Sequence, residues 1–256
     1  MVDFHTHILP GIDDGSRDVD MSMAMLREEQ SKGIHTIIAT PHFYANRRSI
    51  NQFLERRQHA FEKLQTALEN KGMSPTSLDG IDGKSRLPQI LTGAEVYYFA
   101  GMGRADQLPQ LCIEGTDTIM IEMPFDQWRE DQFRDLETII EKQHLTVVLA
   151  HIERYPEFQK NKTIWNRVFA ELPVTPQINT GSFLKKGGLF SRDKKKKFVL
   201  NWMKEHPDTI LGSDAHNPDT RRPNLADGRN IIQKELGEEA LRRSDEAART
   251  LVNIHA

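Results

Sequence analysis

The chain has 256 residues, of which 38% are hydrophobic and 28% charged, and its formal net charge is -3 at pH 7. This composition is too apolar and too evenly mixed for a disordered chain, and it lacks the basic excess of a nucleic-acid-binding protein. One cysteine, Cys112, excludes an internal disulfide framework and suits a reducing compartment. Because we find neither a signal-peptide pattern nor a run of roughly 18 apolar residues, we expect a cytoplasmic protein with no membrane insertion.

Apolar runs rich in β-branched residues alternate with helical stretches along the chain, which predicts βα units around a parallel sheet. Seven strands are predicted, at 2–7, 35–42, 89–98, 116–124, 145–155, 174–182 and 208–216. Helices are predicted at 19–32, 49–71, 129–143, 162–171, 191–205, 225–235 and 238–250. The stretch 73–88 is predicted to be a loop, and no linker interrupts the pattern, so residues 1–256 are expected to form a single domain.

Seven such units favour an α/β barrel of the (β/α)7 type, in which the active site lies at the carboxyl ends of the strands. A doubly wound open sheet is the alternative, and the pattern is compatible with both.

Side chains that bind metals follow the predicted strands at their carboxyl ends. Six of the seven strands carry one there, and a loop aspartate completes a set of nine: His5, His7, Asp14, His42, Glu95, Glu122, His151, Asp214 and His216. Any one of these would ordinarily be a surface or hydrogen-bonded residue, but nine at matching positions are not explained by chance. Four carboxylates buried together would also be costly without cations. Imidazole and carboxylate donors without thiolates suit Mn, Fe or Zn.

The charge of this set points to a phosphate substrate. Four carboxylates and three divalent ions would leave an excess of two positive charges, which suits a dianionic phosphate. Adjacent ions also lower the pKa of bound water, so hydrolysis would need no protein nucleophile. Arg154 and either Arg221 or Arg222 are placed to bind phosphoryl oxygens through their planar guanidinium groups.

Seven segments distributed over nearly the whole chain carry a family resemblance: FHTHILPGIDDGS, ATPHF, TGAEVYY, IEMPF, LAHIERYP, INTGSFL and GSDAHN. Together they resemble the PHP (polymerase and histidinol phosphatase) superfamily, and more closely its bacterial manganese-dependent protein-tyrosine phosphatases of capsule and exopolysaccharide operons.

This resemblance implies a distorted (β/α)7 TIM-like barrel with three Mn2+ ions, and Fe or Zn as other possible metals. One ion would be held by His5, His7, Glu95 and Asp214, and Glu95 would bridge to a second ion held by Glu122 and His151. The third would lie between Asp14, His42 and His216. Arg154 and Arg221 match phosphate-binding positions, and the partner implied is the phosphorylated tyrosine-rich tail of a bacterial tyrosine kinase that controls polysaccharide synthesis.

Two other functions remain open at this point. A PHP-type histidinol-phosphate phosphatase would use the same metals on a small alkyl phosphate, and a kinase-docking module would carry a degenerate site, against which the complete donor set argues. A cysteine-based phosphatase is excluded, because Thr118 stands six residues after Cys112, where such enzymes have an arginine. Six aromatic residues near the strand ends either wall a substrate pocket or pack in the core: Phe43, Tyr44, Tyr97, Tyr98, Phe125 and Phe183.

Overall fold

The computed structural model describes residues 1–73, 87–184 and 189–253, and of 189–193 the backbone only. The predicted loop at 73–88 therefore lies, apart from its ends, outside the described residues. The described part of the chain forms nine strands: β1 Val2–Thr6, β2 Thr36–Ala39, β3 His42–Phe43, β4 Gln89–Thr92, β5 Glu95–Tyr97, β6 Thr118–Glu122, β7 Thr146–Leu149, β8 Thr175–Asn179 and β9 Ile210–Gly212. All strand pairs are parallel, in the orders β1-β2-β4 and β3-β5-β6-β7-β8-β9.

These nine strands correspond to the seven predicted ones, because two of the predicted strands are each interrupted once. Ala39 pairs with Thr92 before the interruption and His42 with Glu95 after it, so the register is unchanged across both breaks. Pro41 has no backbone N–H to donate, which locally interrupts the ladder, although its carbonyl still accepts a 3.1 Å bond from the Glu95 N–H.

The first and last strands meet, which closes the curled sheet into a distorted barrel. Thr6 forms a parallel bridge with Ala215, the His7 N–H donates to the Ala215 carbonyl at 2.9 Å, and the Asp214 N–H donates to the His5 carbonyl at 2.7 Å. The predicted (β/α)7 barrel is confirmed, and the open-sheet alternative is wrong because an open sheet would leave β1 and β9 unpaired.

The described ranges contain eight α-helices: α1 Val19–Ser31, α2 Ile50–Asn70, α3 Glu130–Glu141, α4 Thr163–Glu171, α5 Gly181–Leu184, α6 Leu189–Glu205, α7 Leu225–Leu236 and α8 Glu238–Leu251. Seven of them match the predicted helices within two residues. The clearest predicted helix, α2, begins at a capping box in which Ser49 and Gln52 each accept a bond from the other's backbone N–H. None of the helices in the described part of the chain is long and apolar enough to cross a membrane.

Several predicted strands extend too far at their carboxyl ends. The strand predicted at 174–182 ends at Asn179 and is followed by α5, and the one predicted at 145–155 ends at Leu149. The residues after Leu149 turn into a 3-10 helix, Ile152–Arg154, which begins after His151 in a left-handed conformation with φ 36. The polar residues after each strand therefore lie in turns that point across the barrel mouth.

A carboxyl pair lies buried below this mouth, between β1 and α1. Asp3 is fully buried, and one of its oxygens accepts bonds from the backbone N–H groups of Ser213 at 2.8 Å and His5 at 3.3 Å. Burial raises the pKa of Asp3, and burial together with the charge of Asp3 raises the pKa of Glu29 well above its usual range. Both shifts favour the protonated forms of the two carboxyl groups, since two adjacent buried charges would repel one another.

We expect Glu29→Gln to stabilise the protein at alkaline pH. The pKa of Glu29 is higher in the folded protein than in the unfolded chain, so the folded state binds this proton more tightly. The resulting gain in stability is complete below the unfolded-state pKa and is lost as pH rises through the folded-state pKa. The glutamine variant lacks this loss, so its unfolding midpoint in urea should exceed that of the wild type at pH 8 to 9 and converge with it near pH 4. Glu62→Gln, on the exposed face of α2, is the matched control and should follow the wild type. Equal slopes of stability against pH in wild type and Glu29→Gln would contradict the raised pKa of Glu29.

Candidate metal centre

The barrel mouth brings all nine predicted donor residues together, although they are distributed over seven separate parts of the chain. Seven of them are buried: His5, His7, Glu95, Glu122, His151, Asp214 and His216. His42 is half-buried, and the Asp14 side chain, 64% exposed, lies at the solvent side of the cluster. The barrel topology explains this convergence, because every strand ends at the same rim.

The first group of donors comes from β1 and the turn after β9. His5 Nε2 and His7 Nε2 lie 3.1 Å apart, as expected for residues two apart on one strand face. Each is 3.4 Å from Glu95 Oε2, and they lie 3.6 and 3.4 Å from Asp214 Oδ1. Both imidazole nitrogens therefore lie within 3.6 Å of carboxylate oxygens of Glu95 and Asp214.

Glu95 links this group to a second one. Its Oε1 lies 2.8 Å from His151 Nε2, while its Oε2 faces the first group. Glu122 Oε1 approaches the same His151 nitrogen at 3.3 Å. The two oxygens of Glu95 thus point to different donor groups, which is the arrangement of a bridging carboxylate.

The third group lies toward solvent. Asp14 Oδ1 is 3.4 Å from His42 Nε2 and 3.6 Å from His216 Nε2. One donor atom from each of these three residues and from His7 lies within 4.8 Å of the others.

These separations fit divalent metal ions. Metal bonds of about 2.1 Å with tetrahedral or octahedral angles place neighbouring donor atoms about 3.0 to 3.4 Å apart. Four buried atoms of the cluster residues have no hydrogen-bond partner among the residues that the structure describes: Glu95 Oε2, His42 Nδ1, His151 Nδ1 and His216 Nε2. Two of these atoms, Glu95 Oε2 and His42 Nδ1, lie 2.8 Å apart without hydrogen-bond geometry.

The electrostatics of the cluster also favour cations. Burial would raise the carboxyl pKa values of Glu95 and Asp214, but the charge of His5 and contacts with other imidazoles hold them well below their usual range. Burial would lower the histidine pKa values, yet Asp14 and Glu95 raise that of His42 to about 9, and Glu122 and Glu95 raise that of His151 to about 9. Divalent ions would satisfy the same carboxylates and displace these imidazole protons.

Residues behind the donors fix their orientation. His5 Nδ1 lies 3.2 Å from Gln177 Oε1, so a proton on Nδ1 directs the lone pair of Nε2 into the cluster. His7 Nδ1 likewise lies 2.8 Å from Asp13 Oδ2, so a proton on Nδ1 leaves the lone pair of His7 Nε2 facing the cluster. Asn179 Nδ2 donates to Asp214 Oδ2 at 2.8 Å. Sequence analysis missed these three residues. Asp13 could have been found from the sequence, since it directly precedes the predicted ligand Asp14. The only sequence feature of Gln177 and Asn179 is that they lie two residues apart in β8, on one face of the strand.

We expect Asp13→Asn to weaken metal binding while preserving the fold. Asp13 also accepts bonds from the backbone N–H groups of Gly15 at 2.9 Å and His42 at 3.0 Å, and an amide keeps only one acceptor oxygen. Loss of such an orienting carboxylate typically costs about 10- to 100-fold in metal affinity. Equilibrium dialysis with Mn2+ measures this, with Asp20→Asn, an exposed aspartate of α1, as the control. Unchanged affinity in Asp13→Asn would show that the His7 contact does not orient a ligand.

Two arginines border the cluster on the Asp214 side. Arg154 Nη2 and Arg221 Nη2 donate to Asp214 Oδ2 at 2.6 and 2.8 Å. The guanidinium of Arg222 instead contacts Glu28 at 3.4 Å and Asp227 at 3.2 Å, away from the donors. The geometry therefore places Arg221, and not Arg222, beside the cluster.

The six aromatic residues near the strand ends divide into two groups. Phe43, Tyr98 and Phe183 are buried and pack in the core. Tyr44, Tyr97 and Phe125 remain at the mouth: the rings of Tyr44 and Tyr97 lie 5.5 Å apart, and Phe125, 38% exposed, stacks on His151 at 5.7 Å.

The fold and the cluster together are those of a metal-dependent barrel enzyme. The model of the family described as capsular polysaccharide synthesis, CpsB/CapC, matches residues 1–247. The chain therefore belongs to the CpsB/CapC family, which confirms the resemblance drawn from its motifs.

Curated relatives match nearly the whole chain. Tyrosine-protein phosphatase YwqE of Bacillus subtilis is 30% identical over 244 residues, covering 93% of this chain and 86% of the relative. Tyrosine-protein phosphatase CpsB of Streptococcus agalactiae is 28% identical over 246 residues, covering 93% and 92%. The chain also resembles a solved structure from work on YwqE of Bacillus subtilis and CpsB of Streptococcus pneumoniae, which are described as unique metal-dependent tyrosine phosphatases. The two structures superimpose with a TM-score of 0.77 at 25% sequence identity, and the match covers 100% of this chain and 96% of the other.

Proposed function

We propose that the chain is a metal-dependent protein-tyrosine phosphatase that holds three divalent ions, with Mn2+ as the physiological metal. The observation that carries this proposal is the convergence of nine donor residues at ligand-to-ligand spacing beside two arginines. The names of the relatives, tyrosine-protein phosphatases that share 28 to 30% of their residues with the chain, support it.

In this proposal the ligands are divided as the donor groups suggest. His5, His7, Glu95 and Asp214 hold one ion, and Glu95 bridges to the second with Glu122 and His151. The third ion belongs to Asp14, His42 and His216. Bound divalent ions supply Lewis acidity, lower the pKa of water and offset the charge of the phosphoryl oxygens.

Arg154 and Arg221 orient the phosphoryl group. Each uses one Nη2 donor on Asp214, and the remaining N–H groups of each guanidinium are available to phosphoryl oxygens. Burial would lower the pKa of Arg154, but Asp214 and Glu153 raise it, so this guanidinium remains charged. Glu153 is itself buried and bonded to the Ser182 hydroxyl at 2.6 Å, which fixes it next to Arg154.

The walls of the mouth suit an aryl phosphate. Tyr44 and Tyr97 on one side and Phe125 on the other present ring faces beside the donor cluster. A phenolate leaving group, with a pKa of about 10, is more stable than an alkoxide and depends less on protonation by an acid. Both features favour phosphotyrosine over phosphate esters of alkyl alcohols.

We further propose that residues 1–256 act as one cytoplasmic domain on the phosphorylated tail of a bacterial tyrosine kinase that controls polysaccharide synthesis. The continuous barrel and the capsular polysaccharide family support this role.

Turnover by Mn2+-loaded protein tests the activity. We expect hydrolysis of para-nitrophenyl phosphate and of a phosphotyrosyl peptide, with a higher kcat/KM for the peptide than for histidinol phosphate. A preference for histidinol phosphate would replace the proposed substrate, and no hydrolysis of any phosphomonoester with Mn2+, Fe2+ or Zn2+ would reject the enzyme. Elemental analysis of protein purified without chelators identifies the bound metal.

A further inference from the structure

A cavity opens from the solvent side of the donor cluster. It has a volume of about 310 Å3 and is lined by Ile12, Asp13, Asp14, His42, Tyr44, Arg47 and Arg48. Because it shares Asp14 and His42 with the third donor group, a ligand in this cavity would lie next to a phosphoryl group at the metals.

Two arginines, Arg47 and Arg48, line this cavity, and a third, Arg56, contacts its lining residue Ile12. The Arg47 guanidinium lies over the Tyr44 ring at 4.4 Å, and Arg56 Nη2 donates to the Ile12 carbonyl at 3.3 Å. Burial and the charges of Arg56 and Arg47 lower the pKa of Arg48. Within the described ranges, none of the three forms an ion pair with a carboxylate.

The surroundings add to this positive potential. Arg47 and Arg48 directly precede Ser49, the N-cap of the 21-residue helix α2, whose N-terminus carries a partial positive charge. Two acidic residues line the same cavity, Asp13 and Asp14. Asp13 is bonded to His7 Nδ1 and to the backbone N–H groups of Gly15 and His42, and Asp14 contacts His42, His216 and Arg221. Neither aspartate forms an ion pair with Arg47, Arg48 or Arg56.

A larger cavity borders the cluster at Arg154 and Asp214. It measures about 630 Å3, and its charged lining residues are Arg154, Lys195, Arg221, Arg222, Asp214, Asp219 and Asp227. Arg222 there is paired with Glu28 and Asp227. Arg47 and Arg48, which line the cavity on the α2 side, have no carboxylate ion-pair partner among the described residues.

We propose that Arg47, Arg48 and Arg56 form an anion-binding subsite for a second negatively charged side chain of the substrate, next to the phosphotyrosine. The chemistry recognised is a carboxylate or a phosphate, which arginine binds through charge-assisted and bidentate hydrogen bonds. This subsite rests on the proposed phosphatase function and names its substrate class more closely: peptides in which an acidic residue or a second phosphotyrosine flanks the target.

Four phosphotyrosyl peptides that differ at one flanking position test this subsite: alanine, lysine, glutamate or a second phosphotyrosine. We expect the wild type to have a kcat/KM about five- to tenfold higher for the glutamate peptide than for the alanine peptide, because partly exposed charge-assisted contacts have this magnitude. The lysine peptide should be the poorest substrate. The advantage should shrink between 50 and 500 mM NaCl, since salt screens exposed charges.

The double variant Arg47→Gln/Arg48→Gln should reduce the glutamate-to-alanine ratio to about one. Arg134→Gln, an exposed arginine of α3, is the matched control and should keep the wild-type ratio. Fluorescence anisotropy with non-hydrolysable phosphonate versions of the peptides gives the same comparison as affinities, and thermal unfolding verifies that both variants are folded.

The second-phosphotyrosine peptide identifies the source of the anion. An advantage for it alone assigns the subsite to phosphate, and an equal advantage for glutamate assigns it to negative charge in general. Equal kcat/KM for all four peptides in the wild type, or an unchanged ratio in the folded double variant, overturns the subsite. Turnover of the alanine peptide in the same assays would leave the phosphatase function standing, so the two failures are distinguishable.

Discussion

Glu95→Gln is expected to lower phosphatase activity by about a thousandfold or more and to reduce the metal content of the purified protein. The two Glu95 oxygens face four imidazoles: Oε2 lies 3.4 Å from His5 Nε2, 3.4 Å from His7 Nε2 and 2.8 Å from His42 Nδ1, and Oε1 lies 2.8 Å from His151 Nε2. Glutamine removes the negative charge and replaces one oxygen by an amide NH2, which cannot bind a cation. A thousandfold loss corresponds to about 4 kcal/mol of transition-state stabilisation.

The measurements are metal per chain by elemental analysis, turnover of para-nitrophenyl phosphate, and circular dichroism. Glutamine is nearly isosteric with glutamate, so the secondary structure should remain that of the wild type, and Glu62→Gln controls for the loss of one negative charge. If Glu95→Gln retained full metal content and full activity, Glu95 would not be a bridging ligand.

Removal of the metals with a chelator is expected to abolish activity and to lower the thermal unfolding midpoint. Without cations, the carboxylates of the cluster are balanced by imidazolium groups, and the folded-state pKa of His42 and of His151 is raised to about 9. A raised histidine pKa contributes stability that is present below the unfolded pKa of about 6.5 and is lost as pH rises through about 9. The metal-free protein should therefore be less stable at pH 9 than at pH 7.

Calorimetry of metal-free and reloaded protein at pH 6, 7, 8 and 9 measures both effects. Mn2+ should restore activity and raise the unfolding midpoint most at pH 9, where the histidines no longer compete through protonation. Activity that survives complete metal removal would reject the proposed chemistry, and equal midpoints with and without metal would show that the cluster is not a cation site.

The sequence alone was sufficient for the local elements of this fold. Apolar residues that recur every two residues in strands and every 3.6 residues in helices located all seven strands and seven helices. This works because the spacing of apolar residues within one segment reflects the face that the segment buries. The ends of the strands were less accurate. Residues after Leu149 and Asn179 form helical turns, since the polar residues there contact partners on other strands that are distant in sequence.

The sequence also predicted the nine donor residues, Arg154 and, with Arg222 as the alternative, Arg221, because most of them follow strands and their chemistry is distinctive. The tertiary structure decided how they combine. Closure of β1 against β9 joins His5 and His7 to Asp214, more than two hundred residues away, and this contact distinguishes a barrel from an open sheet. The structure likewise placed Arg221 beside Asp214 and Asp13 Oδ2 within 2.8 Å of His7 Nδ1. Such distances depend on which strands are neighbours and how each turn is directed, which local patterns of polar and apolar residues do not encode.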